Sequence, residues 1–351
     1  MDNTKKLLRA VPAEAMLTES TDLRAYLTGF FSSFGYVYTD WEESILFTDP
    51  RYAEGAKEAL KGQNTKVEIA KTATSVFDYI KTKKVKKLAV PMERVSIPAA
   101  AQYKKYKFKL TDSMPAFVDA MSVKSEEEIK NISAACEIAE KALVKLLGEL
   151  KEGDTENEVA ARLEYYMRLY GASDRSFETI AAFGKNSSVP HHAPDQTKLK
   201  KGMPVLLDFG CKVNGYCSDI TRTVLFGKDE NSDYFSKVYE SVYAAHMLAA
   251  ESIREGMTGK EADAFARERL GKEGLDKFFT HSLGHGIGIN IHEFPTLSPK
   301  GNCVLRNDMV FSIEPGVYFE GEFGIRIEDS VMLSEGKVRS FMKSDKKLIV
   351  L

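Results

Sequence analysis

Asp208 and Asp219 lie on either side of an Asn214-Gly215 pair, and Glu314 and Glu328 lie on either side of Gly321. Asn-Gly is the strongest short signal for a two-residue hairpin turn. A turn there pairs residue 213 with 216 and 210 with 219. Asp208 and Asp219 then share one face as diagonal neighbours, roughly 7–8 Å apart at the backbone and closer at their side-chain tips. A three-residue turn centred on Gly321 sets Glu314 directly opposite Glu328. Each hairpin thus presents two acids to one side. Clustered carboxylates repel one another, and burial raises their pKa values unless a cation neutralises them. Any one of these acids reads as a solvated strand residue. Four of them, within runs as apolar as Val205-Leu206-Leu207 and Val310-Phe311-Ser312-Ile313, call for metal.

Of the six histidines, His285 stands between glycines in Gly284-His285-Gly286, a setting that lets backbone approach closely and projects the imidazole into a site. His246 falls on a predicted helix face and reads as a core or surface residue. Four carboxylates with one imidazole make an oxygen-rich set suited to Mn²⁺ or Co²⁺, with Zn²⁺ or Fe²⁺ as alternatives. Bridging carboxylates in such a set hold two ions about 3.5–4 Å apart, which activates one water and polarises a carbonyl. No GxSxG, Walker A, Rossmann GxGxxG or HExxH pattern competes with metal-assisted hydrolysis.

The elements that must carry these residues form an internal repeat. Glu152-Gly153-Asp154-Thr155 matches Glu255-Gly256-Met257-Thr258. The stretch from Met203 through Asp208 to Gly210 matches Met309 through Glu314 to Gly316, and Gly215 to Asp219 matches Gly324 to Glu328. The three matches come in the same order with offsets of 103, 106 and 109, a drift that small loop insertions explain. Ser125 with Glu128, Thr155 with Glu158 and Thr258 with Glu261 have capping-box spacing and open helices. The first of these is long, with apolar positions at Ile132, Cys136, Ala139, Leu143 and Leu147. The expected architecture is two similar helix-plus-strand halves around a pseudo-two-fold axis, with the four acids near it.

The chain has 351 residues, too long for one ordinary core. Residues 1–122 read as a compact α/β domain, with a helix near Leu23–Phe31, strands near 35–39 and 44–48, a helix near Tyr52–Leu60 and a short strand at Leu88–Pro91. Residues 123–351 form the second domain. The formal charge of −2 gives no reason to expect nucleic acid or a membrane surface as partner, and the lysines from Lys81 to Lys87 read as a solvated helix end. No N-terminal apolar stretch of signal-peptide kind and no apolar run of membrane-spanning length is present, so a cytoplasmic location is expected. The four cysteines, Cys136, Cys211, Cys217 and Cys303, have no metal-site spacing and read as buried apolar residues.

The ordered set Asp208, Asp219, His285, Glu314 and Glu328, in the contexts LLDFG, YCSDITRT, HSLGHGIG, IEPGVY and GIRIED, resembles the pita-bread (M24-type) metallopeptidases. These comprise Xaa-Pro aminopeptidases, prolidases, methionine aminopeptidases and creatinases. The resemblance covers roughly 125–351, and ILFTDPRY at 45–52 is similar to the creatinase/prolidase N-terminal domain. It implies an α+β pita-bread catalytic domain behind an α/β creatinase-like one. It further implies that Asp219 and Glu328 bridge two divalent ions, Mn²⁺ being favoured over Co²⁺ or Zn²⁺. Asp208 would complete one site, and His285 with Glu314 the other, Glu314 also handling the proton of the attacking water. His191, in SSVPHHAP, matches a substrate-side histidine, as do His281 and His292, and these would bind the scissile carbonyl or the substrate carboxylate. Tyr318 and Arg326 match positions that orient the metal carboxylates, and no role attaches to His192. The implied substrate is a short peptide with proline second, an Xaa-Pro dipeptidase being favoured over an aminopeptidase P-like enzyme. A methionine aminopeptidase and a non-catalytic binding protein remain as further readings. A homodimer is expected by the same resemblance.

Overall fold

The computed structural model describes residues 3–230 and 232–351 and separates into two compact units, Met1–Met121 and Ser122–Leu351. In the first unit, strands β1 (Ala15–Thr18), β2 (Tyr36–Asp40), β3 (Ser44–Thr48), β4 (Thr65–Ile69), β5 (Lys87–Val90) and β6 (Lys109–Asp112) form one sheet in the order β4-β3-β2-β1-β5-β6. The pairs β1/β2 and β2/β3 are antiparallel and the others parallel. Helices α1 (Asn3–Ala10), α2 (Thr21–Thr28), α3 (Ala53–Ala59), α4 (Ala73–Thr82), α5 (Ile97–Tyr106) and α6 (Met114–Ser122) complete it. Parallel strands need crossover segments, and helices placed there cover a core that includes Leu17, Tyr38, Val76, Phe77, Ile80 and Tyr103. The helix expected to reach Phe31 stops at Thr28, because Gly29 takes a left-handed φ of 69° and caps it. The lysine run does follow a helix end, and Lys83 there pairs with Glu43 at 2.5 Å.

In the second unit α7 (Glu126–Leu147) and α8 (Glu156–Leu169) precede β7 (Asp174–Arg175), β8 (Ile180–Phe183), β9 (Met203–Phe209), β10 (Cys211–Val213), β11 (Tyr216–Cys217) and β12 (Ile220–Phe226). Then α9 (Ser232–Ser252) and α10 (Gly259–Gly271) precede β13 (Gly284–Gly286), β14 (Glu293–Leu297), β15 (Val310–Ile313), β16 (Gly316–Phe319), β17 (Phe323–Arg326), β18 (Glu328–Ser334) and β19 (Lys337–Ser340). All three expected capping boxes are formed, at Ser125, Thr155 and Thr258. On α7 the buried stripe runs Ile132, Cys136, Ala139, Leu143 and then Leu146, while Leu147 is only half-buried. Alternating steps of four and three residues keep a helix's apolar face aligned, and Leu147 would break that alternation. Each fully buried Leu or Ile on this face contributes about 1.5–3 kcal/mol.

The central sheet runs β14-β13-β15-β18-β12-β9-β8, with β19 paired to β18. Its middle reads the same from both ends: β13-β15-β18 mirrors β8-β9-β12, and the two halves meet where β18 and β12 pair antiparallel. The pseudo-two-fold axis therefore passes between these strands. Cys136, Cys211 and Cys217 are buried, whereas Cys303 is only partly so because it lies on the loop between β14 and β15. No helix is long and apolar enough to cross a membrane among the described residues.

Candidate metal centre

The two turns act as expected. Asn214 and Gly215 have φ of 48° and 84°, and Val213 pairs with Tyr216. The same register continues beyond the turn, with Phe209 opposite Ile220 and Asp208 opposite Thr221. Gly210 lies between β9 and β10, and a Cβ there would fall 1.9 Å from the Ser218 carbonyl oxygen. Only glycine lets the hairpin close at this point, beside Asp219. In the second hairpin Gly321 has φ of 77°, Phe319 faces Phe323 and Gly316 faces Arg326. Ile313 opposite Asp329 shows that the register holds across the break at Glu314-Pro315. Glu314 therefore faces Glu328. Asp208 is within β9 and Glu328 opens β18, but Asp219 and Glu314 lie just outside the named strands. Gly210 and Pro315 interrupt the two ladders, since proline cannot donate to a ladder.

Where β12 meets β18, Thr221 faces Glu328, and its hydroxyl donates to Glu328 Oε2 at 2.6 Å. Asp219, His285 and Glu328 each offer one ligand atom, all within 4.8 Å of one another. His285 Nε2 is 3.3 Å from Glu314 Oε1 and 3.6 Å from Asp219 Oδ2. Its Nδ1 faces the Gly286 carbonyl at 3.2 Å, which places the proton on Nδ1 and leaves Nε2 as an electron-pair donor. The Ser312 hydroxyl accepts from the His285 backbone N–H at 3.0 Å and donates to Glu314 Oε1 at 3.0 Å, so one serine aligns two of the five residues.

Arg326 stands over this group. It pairs with Asp208, donates from Nε to the Thr221 hydroxyl at 3.1 Å and from Nη1 to the Tyr318 hydroxyl at 2.6 Å. Tyr318 in turn meets His281 Nε2 at 2.9 Å, and His281 Nδ1 lies 2.8 Å from the Ser282 carbonyl. The chain is consistent in one sense only: Arg326 donates to Tyr318, Tyr318 to His281 Nε2, and His281 Nδ1–H to Ser282. Burial, with Arg326 adding repulsion, pushes the His281 pKa down to about 3 and keeps the ring neutral.

Burial drives the Asp219 carboxyl well above its ordinary range, and Glu328, Asp208 and Glu314 add to the effect. Glu328 is raised by burial, then by Glu314 and Asp208, and Glu314 is raised to about 7, chiefly by burial. One guanidinium does not balance four acids, three of them buried and Glu314 nearly so. Asp208 Oδ1 and Glu328 Oε1 are buried without any hydrogen-bond partner. A buried carboxylate oxygen without a donor costs several kcal/mol unless a cation takes the place of the donor. Orphaned oxygens, a lone pair held ready on His285 and excess negative charge together fit divalent metal.

His292 is exposed beside the group, its ring 4.3 Å from that of His285 in edge-on contact. His191 is exposed and close enough to Glu314 and His281 to interact with both. The structure thus brings Asp208, Asp219, His285, Glu314, Glu328, Tyr318, Arg326, His281 and His292 together, with His191 beside them. Thr221, Ser312 and two ion pairs escaped the sequence reading. Asp263 accepts from Leu283 N–H and holds Arg267 at 2.7 Å, while Arg267 donates to the Phe279 and His281 carbonyls at 2.9 Å. Lys124 meets Glu293 at 2.9 Å, next to His292. The spacing of Asp263 and Arg267 four apart on a helix was the one local signal available.

The model for metallopeptidase family M24 matches residues 130–335, and that for the creatinase/prolidase N-terminal domain matches residues 1–126. The chain is 35% identical over 316 residues to the Xaa-Pro dipeptidase of Pyrococcus furiosus, spanning 90% of this chain and 89% of that one. Among solved structures, the prolidase from Pyrococcus horikoshii OT3 superposes with a TM-score of 0.93 at 33% identity, covering 99% of this chain and 100% of that chain. An X-Pro aminopeptidase from Thermotoga maritima MSB8 gives 0.91 at 33% identity, with coverage of 99% and 100%. With its mirrored sheet, its paired acidic hairpins and the α/β unit before them, the chain belongs to metallopeptidase family M24 and carries a creatinase/prolidase-type N-terminal domain.

Proposed function

We propose that the chain hydrolyses the Xaa-Pro bond of short peptides, dipeptides above all, with two divalent metal ions held by Asp208, Asp219, His285, Glu314 and Glu328. The observation that carries this reading is the pair of buried, partnerless oxygens on Asp208 and Glu328 within a cluster that has one nitrogen donor. The solved relatives are named as prolidases and as an X-Pro aminopeptidase, which gives the substrate class. The oxygen-rich donor set favours Mn²⁺, with Co²⁺ or Zn²⁺ as alternatives. When bound, two such ions would supply an ionised water and polarise the scissile carbonyl.

The chain's own residues do the rest. Glu314 accepts the proton of the attacking water and returns it to the departing proline nitrogen. Arg326 fixes the Asp208 carboxylate, and Thr221 fixes Glu328, so both acids keep their free oxygens aimed inward. His281, neutral, has Nε2 taken by the Tyr318 hydroxyl and its Nδ1–H by the Ser282 carbonyl, so it acts by holding Tyr318, and through it Arg326, in place. His191 and His292 bind the carbonyl oxygen or the substrate carboxylate from the exposed side. A bond to proline has no N–H, so attack here needs only the carbonyl and the free amino terminus in place.

Turnover of Ala-Pro and Ala-Pro-Ala under Mn²⁺ and Co²⁺ tests the reading. Preference for the dipeptide supports a prolidase, preference for the tripeptide an aminopeptidase, and cleavage of neither would overturn the proposal. The homodimer and the cytoplasmic location belong to the same reading, and sedimentation at micromolar concentration decides the former.

A further inference from the structure

Glu156 and His192 have no part in the metal centre, yet both oxygens of the buried Glu156 carboxylate are fully hydrogen-bonded, one of them by His192. Glu156 follows the cap Thr155 and is fully buried. Its Oε1 accepts from the Phe183 N–H at 2.7 Å and from Asn186 Nδ2 at 2.9 Å. Its Oε2 accepts from the Asp195 N–H at 3.0 Å and from His192 Nε2 at 2.7 Å. These donors fall on both sides of His191. Backbone bonds from the same helical turn close the base of the loop, Glu156 N–H to the Thr197 carbonyl at 3.2 Å and Asn157 N–H to the Asp195 carbonyl at 3.1 Å.

Glu156, His192 and Asp195 have the residue types of a metal site, and their ligand atoms lie within 4.8 Å of one another. Their state is the opposite of that of Asp208 and Glu328. Two donors already fill each Glu156 oxygen, so no lone pair is left for a cation. What the carboxylate holds is the loop. His191 is exposed, and no hydrogen bond fixes its ring among the described residues, so the ring inherits its position from the backbone. From the other side Arg326, which grips Asp208, reaches the Pro190 carbonyl at 3.5 Å, one residue before His191.

We propose that Glu156, acting through His192 and the 183–195 backbone, is a positioning residue that sets where His191 meets the substrate. This rests on the reading of His191 as a substrate ligand. Glu156→Gln keeps the volume but turns one acceptor into a donor that faces two donors. The expected result is a 10- to 100-fold lower kcat/KM for Ala-Pro, carried mainly by KM, with metal content unchanged. Amide hydrogen exchange across residues 183–197 should quicken at least tenfold, independently of any activity. In a His191→Ala protein, Glu156→Gln should cost no more than about twofold further, because the residue it positions is already gone. His192→Ala should behave like Glu156→Gln, and His192→Gln, which can place an N–H near the same point, should recover most of that loss.

An equal cost of Glu156→Gln with and without His191 would overturn the proposal. So would quickened exchange with no change in KM, or slow exchange in the variant. If the unaltered enzyme cleaved no Xaa-Pro peptide, the functional reading would fall instead, and the exchange measurement would still decide whether Glu156 anchors the loop.

Discussion

His246 offers a test of the packing behind the metal centre. It sits on α9, 1% exposed, with the Ile313 backbone as its one weak polar neighbour and no hydrogen bond of good geometry at either ring nitrogen. Burial pushes its pKa down from 6.5 to about 4; Asp329 pulls it upward while Lys346 and Arg222 oppose protonation. A histidine whose folded pKa is depressed stabilises the fold fully above its unfolded pKa. That contribution is lost as pH falls from about 6.5 through about 4, because the unfolded chain takes up the proton first. At about 1.4 kcal/mol per pH unit, the loss approaches roughly 3 kcal/mol. His246→Leu removes the titration and at least one buried nitrogen without a partner, worth about 1–3 kcal/mol when left unpaired. The variant should therefore be at least as stable as the parent at pH 7, and its advantage should widen by about 3 kcal/mol between pH 7 and 4. For a unit of this size that is about 6–12 °C in Tm. Calorimetry of both proteins, stripped of metal and scanned at several pH values, measures the difference with the other acids common to each. Parallel Tm profiles would refute the argument, since burial would then not control the protonation of His246.

Three further outcomes follow from the site. Asp219→Asn and His285→Ala, each folded by circular dichroism, should lose at least a thousandfold in kcat and bind fewer ions by elemental analysis; wild-type turnover in either would contradict the ligand set. Arg326→Lys should keep the charge but lose the fork that reaches Asp208, Thr221 and Tyr318, lowering kcat by about a hundredfold, roughly 2.7 kcal/mol, with little change in Tm. Chelation should abolish activity and lower the Tm of the second unit, because ions present at a thousand times their Kd add about 4 kcal/mol of stability; an unshifted Tm would count against metal at the carboxylates.

The hairpin registers were legible in the sequence because each follows from a local signal: Asn214-Gly215 and Gly321 set the turns, and a period of two does the rest. The caps at Ser125, Thr155 and Thr258 were legible for the same reason. In the first unit β1, β4, β6, α1, α5 and α6 went unread: β1 is buried along its whole length and so lacks the alternation that marks a strand, while β4 and β6 are short edge strands, exposed in large part and with few apolar residues. The clamp from Thr221 to Glu328 spans 107 positions and that from Glu156 to His192 spans 36. Buried charge and hydroxyl pairs of this kind have no sequence period, so nothing local announces them. Glu156 stands in a helix's first turn, where acids are common for reasons of the dipole, and nothing in the sequence set it apart.

The repeat sets up the centre, and its departures from symmetry give it direction. With the offset of 109 that relates Asp219 to Glu328, Thr221 corresponds to Ser330. These two make reciprocal contacts across the axis: Thr221 binds the Glu328 side chain, and Ser330 binds the Asp219 backbone through both N–H and C=O. The longer glutamate takes its support at the carboxylate, which fills one oxygen and leaves the other open. The shorter aspartate takes its support at the main chain and keeps its carboxylate for the cluster. The offset brings Arg326 onto Cys217, a buried thiol, so the guanidinium has no counterpart in the first half. Asp208 is therefore tied to a fixed cation, while its repeat partner Glu314 has only the Ser312 hydroxyl and the His285 ring. A centre built by strict duplication would treat the two acids alike. This one leaves Glu314 without a fixed cation partner, as the proton-handling role proposed for it requires.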